Sequence, residues 1–195
     1  MHCPAIEVQA RYTWPRQPTL WARTGVGDRL NLAQEHLTVA HPGYRLMVVD
    51  AWRSPGRQRL FYRLALVAVR LLRPWWPTAL VRETAARYIA APDAGFPPPH
   101  STGGAIDVRL IGPDGNVARM GPRGLASART DYDRISPTEA WNRRIFATAM
   151  SAAGFSNYEE EWWHWSYGDT LWALESGETH ACYGSIRLPP SRLSS

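Results

Sequence analysis

The clearest hydrophobic alternation in the chain runs over residues 105–110. There Ile106, Val108 and Leu110 take one parity, and Asp107 and Arg109 take the other. A period of two is the signature of a strand with one buried face, so this segment is expected to be a strand that turns Asp107 away from the core. A denser apolar run at 44–52, through Leu46, Met47, Val48 and Val49, predicts a second strand that delivers Asp50 and Arg53 at its carboxyl end. Ser54 and Pro55 then supply a helix cap and a first turn. The helix that follows is expected over 56–72, with Leu60, Leu64, Val67 and Leu71 inward.

Other elements follow from the same rules. A helix is expected from Asp28 to the stop at His41-Pro42-Gly43, and another over 78–89 once Pro74-Trp75-Trp76-Pro77 has broken the chain. Trp75 and Trp76 are expected to pack on the core. The sequence Ser136-Pro137-Thr138-Glu139 is a capping box that opens a helix ending at Gly154. Residues 117–120 are expected to pair back on the 105–111 strand across the turn Pro113-Asp114-Gly115-Asn116. Strands at 155–158, 162–167 and 170–174 would complete an antiparallel sheet. The first two dozen residues have no period and read as an arm; residues 184–195, rich in Pro, Ser and Arg, read as a flexible tail. The expected fold is thus α+β, an antiparallel sheet with flanking helices, in one domain spanning 1–195.

Composition narrows the function classes. The formal charge is +5 and the pI about 9.6, and all 22 basic residues are arginine. They are scattered, and no nucleic-acid motif accompanies them, so no nucleic-acid partner is expected. Cys3 and Cys182 do not make a disulfide framework and are expected as free thiols. The amino-terminal residues lack a charged start followed by an apolar core, and the longest apolar run, 64–69, is too short to cross a bilayer. The expectation is a soluble cytoplasmic protein with no membrane partner, acting on a small molecule, with a homo-oligomer allowed.

The candidate chemistry lies in two stretches. In Pro97-Pro98-Pro99-His100-Ser101-Thr102-Gly103-Gly104-Ala105-Ile106-Asp107, an imidazole and a carboxylate stand seven positions apart across two glycines that permit a sharp turn. Far downstream, Glu161-Trp162-Trp163-His164-Trp165 adds a second imidazole and a second carboxylate. Imidazole nitrogen and carboxylate oxygen are good Zn²⁺ ligands, and a catalytic zinc takes three protein ligands and leaves a fourth position open. His100, Asp107 and His164 supply three, with one zinc per chain expected. Any one of them alone would read as a turn residue; together with Glu161 they read as a metal site. Glu161 is placed to act as a general base on a metal-activated water. On a regular strand Glu161 and His164 would face opposite ways, so Glu161 is expected in a turn or bulge entering the strand.

His100-x₆-Asp107, with Glu161-x-x-His164 and Asp50-Ala51-Trp52-Arg53 upstream, resembles the D-alanyl-D-alanine dipeptidases, the VanX-like branch of the zinc DD-peptidases with the Hedgehog/DD-peptidase fold. The likeness covers residues 44–174 and is most specific over 157–172. It implies zinc on His100, Asp107 and His164, Glu161 as catalytic acid/base, Arg53 as stabiliser of the transition state, and D-Ala-D-Ala or a related small D-amino-acid peptide as substrate. The chain departs from that family where a Met-Gly-Thr-x-Phe-Asp segment supplies an acid for the substrate ammonium. Here it reads Met120-Gly121-Pro122-Arg123-Gly124-Leu125. Asp131 or Asp133 could reach round from the same loop, and Arg123 would repel a cationic amine. The alternative is therefore the same zinc chemistry on an N-blocked, larger or anionic peptide in a biosynthetic or self-resistance pathway. A non-catalytic zinc-binding module is the third possibility, and Glu161 and Arg53, which holding zinc does not require, argue against it.

Overall fold

The amino-terminal arm contains a paired strand, which the lack of period concealed. In the computed structural model, which describes residues 5–8, 20–122 and 134–186, β1 (Ala5–Val8) and β2 (Leu20–Arg23) form a two-stranded antiparallel sheet. All four residues of β2 are buried. A strand covered on both faces shows no alternation, hence the missing signal. The chain passes directly into α1 (Thr24–Ala40), four residues before the expected start.

Next comes β3 (Arg45–Asp50), then α2 (Pro55–Leu72), whose Ser54 hydroxyl accepts from the Arg57 backbone N–H. The expected orientation of α2 is reversed. Leu60, Leu64, Val67 and Leu71 all face solvent, Leu71 at 75 % exposure, while Gln58, Tyr62 and Val69 are buried. The helix carries two apolar stripes, and the one with smaller side chains, Ala65 and Val69 with Tyr62, is the one that fits against α3 (Thr78–Ala86), through Val81 and Ala85. Trp76 joins this small cluster, but Trp75 stands 74 % exposed, against expectation.

One turn of helix, α4 (Pro99–Thr102), ends at Gly103 in the left-handed region (φ +71°) and leads into β4 (Ala105–Ile111). Beyond β4 the chain turns where expected, with Asp114 accepting from Asn116, but the hairpin extends only to a single bridge, Ile111 with Val117. Then α5 (Pro137–Ala152) begins at the capping box, complete in both directions between Ser136 and Glu139. Two strands follow, β5 (Ser156–Tyr158) and β6 (Glu161–Ser166). The third expected strand is instead the helix α6 (Thr170–Ser176). Asp169 caps it by accepting from the Trp172 backbone N–H at 2.9 Å, and Gly177 ends it with φ +73°.

The main sheet is antiparallel in the order β3-β4-β6-β5. Ile106, Val108 and Leu110 of β4 are fully buried with Leu37 of α1 and with Phe146, Ala149 and Met150 of α5. This core fixes one face of the sheet and leaves Asp107 on the other. Gly184 to Ile186, expected as part of the tail, are tied down: the Gly184 carbonyl accepts from Arg23, and the Ile186 carbonyl accepts from the Trp52 indole. The Ile186 N–H also donates to the Ser101 carbonyl. Polar side chains of the folded core therefore hold the segment despite its composition. Among the described residues no helix is long and apolar enough to cross a membrane.

Candidate metal centre and its cleft

The register of the sheet aligns the site. Asp50 on β3 lies across from Asp107 on β4, and Asp107 lies across from His164 on β6. His100 reaches the same place from α4, whose position is set by backbone contacts: the Arg53 N–H donates to the His100 carbonyl at 3.0 Å and the Arg23 N–H to the Gly103 carbonyl at 2.9 Å. Gly104 has no room for a side chain, since a Cβ there would stand 2.8 Å from the Tyr167 carbonyl oxygen. The turn expected at the glycine pair is thus required by how close two backbones come.

His100, Asp107 and His164 are all buried, and their donor atoms converge. Nε2 of His100, Nδ1 of His164 and Oδ1 of Asp107 form a nearly equilateral triangle with sides of 3.2, 3.2 and 3.3 Å. Ligand atoms about 2.0 Å from one tetrahedral ion are about 3.3 Å apart, so the triangle has the size of one face of a zinc coordination shell. The tautomer of His100 is set as well. Its Nδ1 lies 2.7 Å from the Ala51 carbonyl, which makes Nδ1–H the donor and leaves the Nε2 lone pair facing the triangle. Burial by itself favours the neutral form of Asp107. When His100 is protonated at both nitrogens, its charge and hydrogen bond, with the hydrogen bond of His164 and the charge of Arg53, override it and hold the carboxyl well below the usual range.

Arg53 and Glu161 flank the triangle. Nε of Arg53 donates to Asp50 Oδ2 at 2.7 Å, and its NH2 lies 3.5 Å from Asp107 Oδ2. Burial disfavours its charge, but Asp50, Asp107 and Glu161 outweigh that and raise its pKa. Glu161 Oε2 is 4.0 Å from His164 Nδ1. That approach needs the expected bulge, which is present. Pairing of β5 with β6 slips between Asn157 and Tyr158, so that Asn157 faces Trp165 while Tyr158 faces Glu161. The Asn157 amide spans the slip and donates to the carbonyls of both Glu161 (3.1 Å) and His164 (2.8 Å). Sequence reasoning missed this residue. An Asn two positions before a run of three glutamates is the local signal for it.

A cavity of about 540 Å³ opens on the triangle and is lined by Arg53, Glu161, His100, Asp107 and His164 together with an apolar wall. The loop expected to meet the substrate lies largely outside the described residues, including Arg123, Asp131 and Asp133. Its entry is anchored: the Pro122 carbonyl accepts from the Trp162 indole at 2.9 Å, and the Met120 carbonyl from the buried Arg143 at 2.6 Å.

Residues 25–185 match the model of a family described as D-ala-D-ala dipeptidase. The chain belongs to this family. It is a family of zinc metallopeptidases, and the antiparallel sheet with its buried His, Asp and His accords with that membership. A D-alanyl-D-alanine dipeptidase of Synechocystis sp. is 30 % identical over 207 residues, covering 94 % of this chain and 83 % of that protein. Another, from Enterococcus faecium, is 31 % identical over 137 residues, or 67 % of this chain and 65 % of its own length. Among solved structures, VanYB in complex with D-alanine-D-alanine aligns with a TM-score of 0.54 at 13 % identity, covering 91 % of this chain and 86 % of that one. A Zn(II) complex of the D,D-pentapeptidase VanY aligns at 0.51 and 14 %, covering 84 % and 79 %. These likenesses place the fold among the DD-peptidases.

Proposed function

We propose that this chain is a dipeptidase that holds one zinc ion on His100 Nε2, Asp107 Oδ1 and His164 Nδ1 and hydrolyses D-Ala-D-Ala or a related small D-amino-acid peptide. The observation that carries this reading is the donor triangle, with a carboxylate and a guanidinium beside it that coordination does not use. Bound there, zinc supplies Lewis acidity, making water nucleophilic at neutral pH and polarising the scissile carbonyl. Glu161 takes the proton from the attacking water and returns it to the leaving amine, since one carboxylate 4.0 Å from His164 can face both the nucleophile and the scissile nitrogen. Arg53, kept charged and aimed by Asp50, donates to the oxygen that gains charge as the carbonyl becomes tetrahedral. Ala51 fixes the imidazole of His100, and Asn157 fixes the backbone that carries both Glu161 and His164.

The test is release of free D-alanine from D-Ala-D-Ala by the zinc-loaded protein, with Glu161→Ala alongside. Turnover that falls about 10²- to 10⁴-fold in the variant, while zinc is retained, supports the assignment. A folded protein that binds one zinc per chain and cleaves no D-dipeptide refutes it. A second reading keeps the chemistry and changes the substrate to an N-blocked or larger peptide. One observation favours it: among the described residues lining the cavity, the only carboxylates are Asp107 and Glu161, and both are committed to the centre.

A further inference from the structure

The wall of the cavity away from the donor triangle is built for an apolar group. Phe61 of α2, Tyr88 and Ile89 after α3, Phe96 from the loop before α4, and Leu171 and Leu174 of α6 all line it. The wall is held in place. Gln58 donates to the Ala90 carbonyl at 2.8 Å, and the Tyr158 hydroxyl to the Arg87 carbonyl at 3.3 Å. Phe61 also lies under the guanidinium of Arg53, 5.4 Å from its ring centre, so the apolar surface begins beside the reacting groups. A volume of about 540 Å³ falls within the roughly 300–1,000 Å³ of sites that enclose drug-sized ligands. The two methyl side chains of D-Ala-D-Ala would leave most of it to water. Phe96 and Leu174, 51 % and 76 % exposed, would then stay wet at the mouth, where large apolar side chains together mark a surface that a ligand covers. Among the described residues that line the cavity, the one arginine besides Arg53 is Arg87, which is taken by Glu83 at 2.8 Å.

We infer that the substrate carries an aromatic or long aliphatic side chain on one side of the scissile bond, received by Phe61, Tyr88, Ile89, Phe96, Leu171 and Leu174. This rests on the hydrolase reading above and narrows its substrate class. Calorimetry on zinc-loaded Glu161→Ala measures binding of D-Ala-D-Ala, D-Ala-D-Phe and D-Phe-D-Ala without turnover, and steady-state hydrolysis by the unaltered protein gives kcat/KM for the same three. One of the two aromatic peptides is expected to bind and to turn over about tenfold better than D-Ala-D-Ala, or more, from burial of one large apolar side chain. Leu171→Ala with Phe96→Ala narrows that ratio towards one. Leu174→Asp, at a position exposed enough to leave folding intact, moves it the same way. Binding of both aromatic peptides no tighter than that of D-Ala-D-Ala overturns the inference. The two readings fail separately: tight aromatic binding with no hydrolysis of any peptide removes the hydrolase and keeps the subsite, whereas hydrolysis that favours D-Ala-D-Ala does the reverse.

Discussion

Asn157 ties the proposed base to a proposed ligand without touching a substrate. Its amide satisfies the Glu161 and His164 carbonyls at a slip in the sheet, and a carbonyl left without its donor when buried costs about 1–3 kcal/mol. In Asn157→Ala the strand is therefore expected to relax towards regular alternation, which turns Glu161 away. Steady-state kinetics should show kcat falling by about tenfold or more with KM little changed. Asn157→Asp, which loses the donor and keeps the shape, should behave as Ala does; full activity in Asp would mean that the amide does not position the base. Asp50 is the corresponding support of Arg53. With its carboxylate removed in Asp50→Ala, a buried guanidinium loses its closest partner, and urea unfolding should report a loss of about 3 kcal/mol. Asp50 was visible from sequence because it lies three positions from Arg53. Asn157 was not, because its partners are backbone carbonyls and peptide oxygens leave no trace in side-chain spacing.

Elements were legible where one face alone is buried. The β4 strand, with Ile106, Val108 and Leu110 inward, and α5, with its capping box, stand as the pattern predicts. The α2 helix was misoriented because period alone cannot choose between two apolar stripes; the choice is made by the shape of α3. Measured stabilities should separate the two faces. Tyr62→Ala empties a packed site and should cost about 3 kcal/mol, while Leu64→Gln on the solvent face should stay within about 0.5 kcal/mol. Comparable losses would mean that both faces are covered. At the start of α5, Ser136→Ala should cost about 1 kcal/mol near neutral pH. The backbone N–H and hydroxyl of Ser136 hold Glu139 below its ordinary pKa. A carboxyl with a lowered folded pKa stabilises fully above its unfolded value and loses that contribution as pH falls through the folded one. The gap between wild type and Ser136→Ala should thus shrink on acidification, as urea melts across acid pH would record.

Across the whole molecule, the donor triangle joins parts of the chain that lie far apart in sequence. His100 and His164 are 64 positions apart, and Asp107 and His164 are 57; α4, β4 and β6 each contribute one donor. The sequence named these proposed donors, but their convergence depends on the register of β4 with β6 and on the backbone contacts that seat α4, which are tertiary facts. An ion held by all three binds the folded chain and not the unfolded one, so it stabilises by mass action, about 4 kcal/mol at a free concentration one thousand times its Kd. For a chain of 195 residues about 2–4 °C accompanies each kcal/mol, so zinc should raise the melting temperature by about 10 °C over chelated protein. In His164→Ala two donors remain, and the increment should largely vanish, while Glu161→Ala should keep it, because Glu161 stands outside the triangle in the proposed assignment. Scanning calorimetry on the three proteins, each with zinc and with chelator, separates ligand from base without reference to turnover. A zinc-dependent rise that survives loss of His164, or disappears with Glu161, would require a different donor set.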